Sequence, residues 1–306
     1  MRTETSDRTG LTAGLAAYGL WGLLPLLFQA VERTGVGAFE IVAWRTVFAL
    51  PFALALVLAV GQLPALRALR GRDWAALLLS SALILTNWCV YVWAVTSHRT
   101  LEGALGYYIN PLLNMAAGRL LFGERIDRAG WIAMGLAAAG VLVQALALGR
   151  PPWIALALGI SFCGYGVVRK RAAAPAQAGL LAECLWLLPV AAGFLAWTAL
   201  RPGGDVAVAR GPAQALLLLA CGPGTVVPLA CFAVAARRLP LTVVGFLQFI
   251  APTLQFGIGV ADGEPLTPLR LASFALIWTG VAVFVSAALW RGRAERLAAR
   301  RSAAPP

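Results

Sequence analysis

Three residues that disfavour a membrane helix lie in the middle of one apolar run. Asn110 and Asn114 stand four positions apart, and Pro111 directly follows Asn110. A buried amide costs free energy unless it is hydrogen-bonded, and proline removes a backbone donor. Because residues four apart share one face of a helix, this face is expected to point toward protein or a wet cavity. The alternative is that the two amides join neighbouring helices by hydrogen bonds.

Two residues of opposite charge also lie within apolar runs, at matching positions. Arg45 comes six residues before Pro51, and Glu183 comes six residues before Pro189. Their backbones are expected to differ in depth by roughly 15 Å, so each is expected to face its own vestibule, Arg45 the outer one and Glu183 the inner one. The long side chain of Arg45 can alternatively reach the lipid headgroups. Glu183 is the best internal candidate for carrying a proton, because a buried carboxyl group is readily neutralised.

Further polar and aromatic residues complete a candidate substrate cavity. Gln248 and Gln255 flank Pro252 as the two asparagines flank Pro111. Aromatic rings can stack on a flat or cationic solute, although most tryptophans and tyrosines in membrane proteins belong to the core or the interfacial belt. Glu102 begins an apolar run and is alternatively a solvated interfacial residue. The remaining candidates are Asn87, Trp88, Tyr91, Glu102 and Tyr108.

The sequence gives no sign of metal, cofactor or nucleotide chemistry. The five cysteines lie singly within apolar runs without C-x-x-C spacing, and the one histidine, His98, has no obvious ligand set. There is no G-x-x-x-x-G-K-[ST], H-E-x-x-H or G-x-S-x-G motif, and every aspartate lies in a tail or loop. We therefore expect no metal, no cofactor and no ATP hydrolysis by this chain.

The composition indicates that these residues are positioned by membrane-spanning helices. Of the 306 residues 60% are hydrophobic and 12% are charged, and the mean hydropathy is +0.79. Apolar runs of about 20 residues, the length of a helix that crosses a bilayer, recur along the chain. The predicted spans are 11–31, 41–60, 74–96, 102–121, 130–148, 152–168, 179–200, 214–235, 241–261 and 270–290.

The basic residues give the predicted orientation. With ten spans and a cytoplasmic N-terminus, 18 of the 25 lysines and arginines fall on the cytoplasmic side. This bias follows the positive-inside rule, so both termini are predicted to be cytoplasmic, with a basic tail at 291–306. The net charge of +12 therefore reports topology, and no nucleic-acid partner is expected.

The chain also contains an internal repeat. Trp93-Ala-Val matches Phe232-Ala-Val, and Tyr108-Ile-Asn-Pro followed by Gly123-Glu124 matches Phe249-Ile-Ala-Pro followed by Gly263-Glu264. Since each repeat contains five spans, an odd number, the second must cross the membrane in the opposite sense, as in many secondary transporters. The predicted units are helices 1–5 in residues 1–148 and helices 6–10 in residues 149–290.

These motifs resemble one known family. The ten spans, the two five-helix repeats and the Gly-Glu pairs are similar to the EamA branch of the drug/metabolite transporter superfamily. The stretches Leu101 to Asn114, Asn87-Trp88, Gly164 to Lys170 and Trp186 to Pro189 resemble the RarD-type permeases, bacterial inner-membrane proteins named for chloramphenicol sensitivity. The second half departs slightly, because Pro252 to Gly263 is one residue shorter than Pro111 to Gly123.

The resemblance implies an all-α, multi-pass permease of the bacterial inner membrane that exports small metabolites or drugs by alternating access. Its partners are then a small-molecule solute and the lipid bilayer. Proton coupling and uncoupled facilitation are both compatible with the sequence, as are a monomer and a homodimer. The alternatives from other classes are a polytopic enzyme that modifies a lipid and a non-transporting receptor or scaffold.

Overall fold

A computed structural model describes residues 4–123, 126–239 and 247–302, and these residues contain helices and no strand. The first repeat predicted from sequence contains α1 (Glu4–Glu32), α2 (Ala38–Ala59), α3 (Leu63–Arg67), α4 (Gly71–Thr96), α5 (Thr100–Phe122) and α6 (Arg128–Leu148). The second contains α7 (Trp153–Arg171), α8 (Ala176–Leu200), a 3-10 turn at Ala207–Ala209, α9 (Pro212–Arg238), α10 (Ile250–Ala261) and α11 (Pro268–Ser302).

Each predicted span overlaps one of the described helices. By length and composition, seven of those helices are apolar enough to cross a membrane: α1, α2, α4, α6, α8, α9 and α11. The helices α5 and α7 are not among the seven, because α5 carries two asparagines and a glutamate and α7 ends in Arg169, Lys170 and Arg171. The described helices therefore match an integral membrane protein.

The ends of the last two predicted spans need comment. Residues 241–246, at the beginning of the ninth span, lie outside the described residues; after a turn at Gln248 and Phe249, its remainder forms α10 from Ile250. Pro252 lies in the first turn of α10, where proline is accepted. In the last span, α11 continues beyond residue 290 through most of the predicted tail to Ser302.

Helix packing brings the two predicted repeats together. α1 packs against α9 and α10, α2 against α8 and α9, and α4 against α7 and α8. α5 packs against α7 and α10, and α6 packs against α11. The largest buried apolar cluster lies among α1, α2, α4 and α7 and includes Phe28, Ile41, Trp88, Tyr91 and Leu158.

Close approach of α2 and α9 depends on a glycine. A Cβ atom at Gly222 would collide with the backbone carbonyl group of Phe48. Glycine therefore lets the two backbones come close enough for short side chains of α9 to reach α2. Thr225, one turn after Gly222, lies in this contact and is buried.

Candidate functional site

Arg45 lies deep inside the protein, on α2, with 5% of its surface exposed. Its Nε donates a hydrogen bond to Oγ1 of Thr225 on α9 at 2.6 Å. The guanidinium carbon lies 4.2 Å from the ring centroid of Trp88 and 5.5 Å from that of Phe28, distances typical of cation–π contacts. No carboxylate among the described residues pairs with Arg45. The guanidinium group is thus held by one hydroxyl group and two aromatic rings.

Glu183 is buried on α8 and is surrounded by donors. Its Oε1 accepts a hydrogen bond from Ser80 of α4 at 2.6 Å and lies 3.6 Å from Nε of Arg169. The hydroxyl group of Tyr165 donates to Oε2 at 3.3 Å. The carboxylate therefore connects α8 to α4 and to α7. The structure does not join Glu183 to Arg45, and each of these charges has its own set of neighbours.

The position of Arg169 depends on Gly179. A Cβ atom at Gly179 would overlap the guanidinium group of Arg169, so only glycine leaves room for it. Nη2 of Arg169 also donates to the backbone oxygen of Ala176 at 3.2 Å, at the beginning of α8. Gly179 lies one helical turn before Glu183, so both residues are on the same face of α8 and Arg169 reaches Glu183 over the glycine.

Asn87 joins three helices through its side-chain amide. Its Nδ2 donates to the backbone oxygen of Leu158 at 3.0 Å and to Oγ of Ser161 at 3.2 Å, both on α7. The hydroxyl group of Tyr107 on α5 donates to its Oδ1 at 3.0 Å. Asn87 is therefore saturated by interhelical contacts. Its neighbour on the next turn, Tyr91, is buried, and the hydroxyl group of Tyr91 has no partner among the described residues.

Two of the predicted amides, Asn110 of α5 and Gln255 of α10, are buried, and Tyr108 joins the same two helices. Tyr108 is buried and its hydroxyl oxygen lies 2.7 Å from Oγ1 of Thr253. Asn110 is also buried, and its Oδ1 has no partner among the described residues. The side-chain amide of Gln255 donates to the backbone oxygen of Trp21 on α1 at 3.4 Å, and its Oε1 has no partner among the described residues.

The other two predicted amides have different environments. Asn114 is exposed and lies near Gly166 of α7: a Cβ atom built on this glycine would lie 3.9 Å from Oδ1 of Asn114. Gln248 is half-buried in the turn before α10. Asn110 and Asn114 thus differ in burial although they stand one turn apart. The prolines Pro111 and Pro252 are both buried.

Glu102 belongs to a cluster of charges at the beginning of α5. Its Oε1 lies 3.2 Å from Nε of Arg99 and 3.6 Å from Nη2 of Arg150. Next to it, the carboxylate of Glu264 accepts hydrogen bonds from the backbone amides of Thr100 and Leu101, the second at 3.0 Å. Glu264 therefore supplies an acceptor for the first turn of α5, where backbone amides lack partners within the helix. Glu124, at the matching position of the predicted first repeat, lies outside the described residues.

Several of these contacts could not be read from the sequence. Arg169 was counted with the cytoplasmic loop residues, because it is followed by Lys170 and Arg171 at the end of an apolar run. Ser80 and Thr225 are hydroxyl residues in apolar helices, and hydroxyls of this kind commonly bond to their own helix backbone. The only sign of these contacts in the sequence was the presence of a polar residue within an apolar run. Among the described residues, no group of three or more metal-ligating side chains occurs.

Comparison with known proteins identifies the family. The EamA-like transporter family matches residues 8–146. RarD of Streptomyces exfoliatus is 40% identical over all of this chain and 96% of its own length, and RarD of Escherichia coli is 41% identical over 94% and 97%. The chain belongs to the RarD-type permeases of the EamA family.

Other similar proteins agree with this assignment. An uncharacterized transporter of Pseudomonas aeruginosa is 42% identical over 93% of this chain and 95% of its own length. A solved crystal structure with 22% sequence identity superposes with a TM-score of 0.61, covering 90% of this chain and 97% of the other, which supports the fold alone. Like the other RarD-type permeases, the protein is a multi-pass transporter of the bacterial inner membrane.

Proposed function

We propose that this permease is a secondary transporter that exports small metabolites by alternating access, with ten spans in two inverted five-helix repeats and both termini in the cytoplasm. The observation that carries the proposal is the pattern of helix packing. The helices that match the predicted spans pair in order between the halves: α1 with α7, α2 with α8, α4 with α9, α5 with α10 and α6 with α11. Exchanging the members of each pair converts the α1–α9 contact into α7–α4, the α2–α9 contact into α8–α4, and the α5–α7 contact into α10–α1. The contacts α2–α8, α5–α10 and α6–α11 convert into themselves. A pseudo-two-fold axis produces such a pattern.

The charged residues support a transport path between the halves. Under the same exchange, the α2–α9 contact that contains Arg45 and Thr225 becomes the α8–α4 contact that contains Glu183 and Ser80. Charges within a membrane protein are costly and usually face the bundle interior or a water-filled cavity. Both sites lie where helices of the two halves meet, which is where inverted-repeat transporters bind their cargo.

The cavity is proposed to include residues from both halves. Arg45, Trp88 and Tyr91 contribute from one cluster and Glu183 from a second. The others come from α5, from α10 and from the turn before α10: Tyr108, Asn110, Asn114, Gln248 and Gln255. Asn87 and Glu102 act through their neighbours, because Asn87 is saturated by hydrogen bonds and Glu102 is held by arginines.

A metabolite comparison tests the function. Growth medium and cell extracts are compared for cells that overexpress the protein, cells that lack it, and cells that express an Arg45→Ala variant at the same level. We expect the concentration of at least one small metabolite to rise in the medium on overexpression and to rise inside cells on deletion. Expression of the Arg45→Ala variant should leave its concentration in the medium unchanged. Vesicles reconstituted with the purified protein should then transport that metabolite.

The same samples test the alternative of a lipid-modifying enzyme. That alternative predicts a changed lipid extract with an unchanged medium. Such a result would contradict transport.

A further inference from the structure

Arg45 has an unused binding capacity. Of its five N–H donors, only Nε has a partner among the described residues, the hydroxyl group of Thr225. Nη1 and Nη2 have no hydrogen bond there, and 5% of the residue's surface is exposed, so four N–H donors of the guanidinium fork have no acceptor in the described part of the protein. Glu183, at the matching position of the other half, receives three donors. The fold therefore surrounds the charge of Glu183 with donors but gives the charge of Arg45 only one hydrogen-bond partner among the described residues.

The walls around Arg45 are apolar and aromatic. Trp88 covers one face of the guanidinium group at 4.2 Å, and Phe28 lies at 5.5 Å. The ring of Phe28 is in edge contact with that of Tyr91 at 6.2 Å, and Tyr91 contacts Tyr107 at 5.3 Å. The hydroxyl group of Tyr91 is a second donor without a partner in the described part of the chain. A planar cation that lies over an aromatic ring keeps its edges free for an acceptor.

We propose that Arg45 binds the carboxylate of an apolar monocarboxylate, which defines the chemical class of the cargo; this inference rests on the proposed transport function. A carboxylate matches the fork of guanidinium donors in two parallel hydrogen bonds. One cation with neutral hydroxyl groups beside it balances a single negative charge, whereas a phosphate dianion would retain excess charge in an apolar site. The surrounding rings accommodate an apolar body attached to the carboxylate.

Equilibrium binding of two isosteric probes tests the site. Benzoate and benzamide have nearly the same shape, but only benzoate carries a negative charge at neutral pH. Titration calorimetry on the purified full chain in detergent should show benzoate binding at least about tenfold more tightly than benzamide, as expected for charge-assisted hydrogen bonds. Absence of benzoate binding, or equal binding of the two probes, would overturn the proposal.

Two variants locate the effect at Arg45. Arg45→Gln keeps hydrogen-bond donors but removes the charge, so the preference for benzoate over benzamide should disappear. Arg33→Gln removes a charge from an exposed arginine after α1 and should preserve the preference. Preserved preference in Arg45→Gln, or its loss in Arg33→Gln, would contradict a site at Arg45.

A measurement on the unmodified chain covers the case in which Arg45→Gln does not fold. Phenylglyoxal reacts with accessible guanidinium groups, and peptide mass spectrometry reports modification of each arginine separately. Benzoate should slow the modification of Arg45 and leave that of Arg33 unchanged. Equal rates at Arg45 with and without benzoate would overturn the site.

These binding tests are independent of transport. If the metabolite comparison finds no exported compound while benzoate binds at Arg45, the transport proposal fails and the site remains. If a neutral or cationic metabolite is exported while benzoate does not bind, transport remains and the carboxylate site fails.

Discussion

Arg169 reaches Glu183 across a glycine, with its Nε 3.6 Å from the carboxylate oxygen Oε1. The guanidinium group lies directly over Gly179, where any side chain would occupy the same space. The carboxylate is buried and the side chain of Arg169 is 14% exposed, and Ser80 extends the contact to α4. Three helices from both halves of the chain therefore depend on one close approach.

Gly179→Ala should disrupt this ion pair. The added methyl group displaces the guanidinium group, which leaves Glu183 without its cationic partner, and breaking a buried pair is strongly destabilising. Part of the loss is offset by the helix propensity of alanine, so we expect a net destabilisation of about 1–3 kcal/mol. The midpoint of thermal unfolding in detergent measures it.

Gly193→Ala is the matched control on the same helix. A Cβ atom at Gly193 meets no other group within 4 Å. Its substitution should be neutral or stabilising by up to about 1 kcal/mol. Equal behaviour of the two variants would show that Arg169 does not need the space above Gly179.

Glu183→Gln tests proton coupling. The amide oxygen can still accept from Ser80, but the titratable charge is removed. In vesicles loaded with the metabolite found by the export comparison, the variant should lose accumulation driven by a pH gradient and keep exchange down a solute gradient. Unchanged pH-driven accumulation would exclude Glu183 as the proton carrier.

The double variant Arg169→Gln/Glu183→Gln separates coupling from structure. It removes both charges together, so neither is left buried and unpaired, and its stability should recover relative to Glu183→Gln. If the recovered protein still fails to accumulate cargo with a pH gradient, the missing function is coupling. If it accumulates cargo normally, the defect of the single variant was structural.

Cysteine accessibility should divide the four amides of α5, of α10 and of the turn before α10. In a background without the five native cysteines, Asn114→Cys and Gln248→Cys should react with a charged, water-soluble thiol reagent, because these positions are exposed or half-buried. Asn110→Cys and Gln255→Cys should react slowly, because both positions are buried. Protection of Asn114→Cys would place that side chain against lipid instead of a wet cavity.

Glu264→Ala should destabilise the beginning of α5. Its carboxylate accepts from two backbone amides of the first turn, and removing such a capping acceptor costs about 1–3 kcal/mol. Glu264→Gln retains an acceptor oxygen and should lose less. Glu32→Ala is the control, since the Glu32 side chain forms no hydrogen bond or ion pair with the described residues. Thermal unfolding in detergent compares the three variants, and equal stability of Glu264→Ala and Glu32→Ala would exclude a capping role.

The Asp205–Arg210 pair predicts a pH dependence in the loop between α8 and α9. Both nitrogens of the Arg210 fork lie 2.6 Å from the carboxylate, and these hydrogen bonds lower the pKa of Asp205 below its ordinary value. An acid with a depressed pKa stabilises the fold above its unfolded pKa and loses that contribution as the pH falls through its folded pKa. The difference in unfolding midpoint between the natural protein and Asp205→Asn should therefore shrink below a pH of about 4. A difference that stays constant with pH would contradict this.

The sequence by itself determined the helices and the family. Run lengths of apolar residues follow directly from the thickness of a bilayer, and each predicted span overlaps an observed helix. The motifs around Asn87 and Asn110 identified the RarD-type permeases, and the comparisons confirm that assignment. The inverted repeat also came from sequence and stays a proposal.

Tertiary structure decided which partners the polar residues have. The pattern singled out Arg45, Glu183 and Asn87 because each is a polar residue in an apolar run, but their roles depend on residues far away in the chain. Thr225 is the hydrogen-bond partner of Arg45, Ser80 and Arg169 are neighbours of Glu183, and Leu158 accepts from Asn87. Helical periodicity places a side chain on a face without saying which helix meets that face. The difference between a charge held by its neighbours and one left open to a ligand therefore arises only when the helices pack.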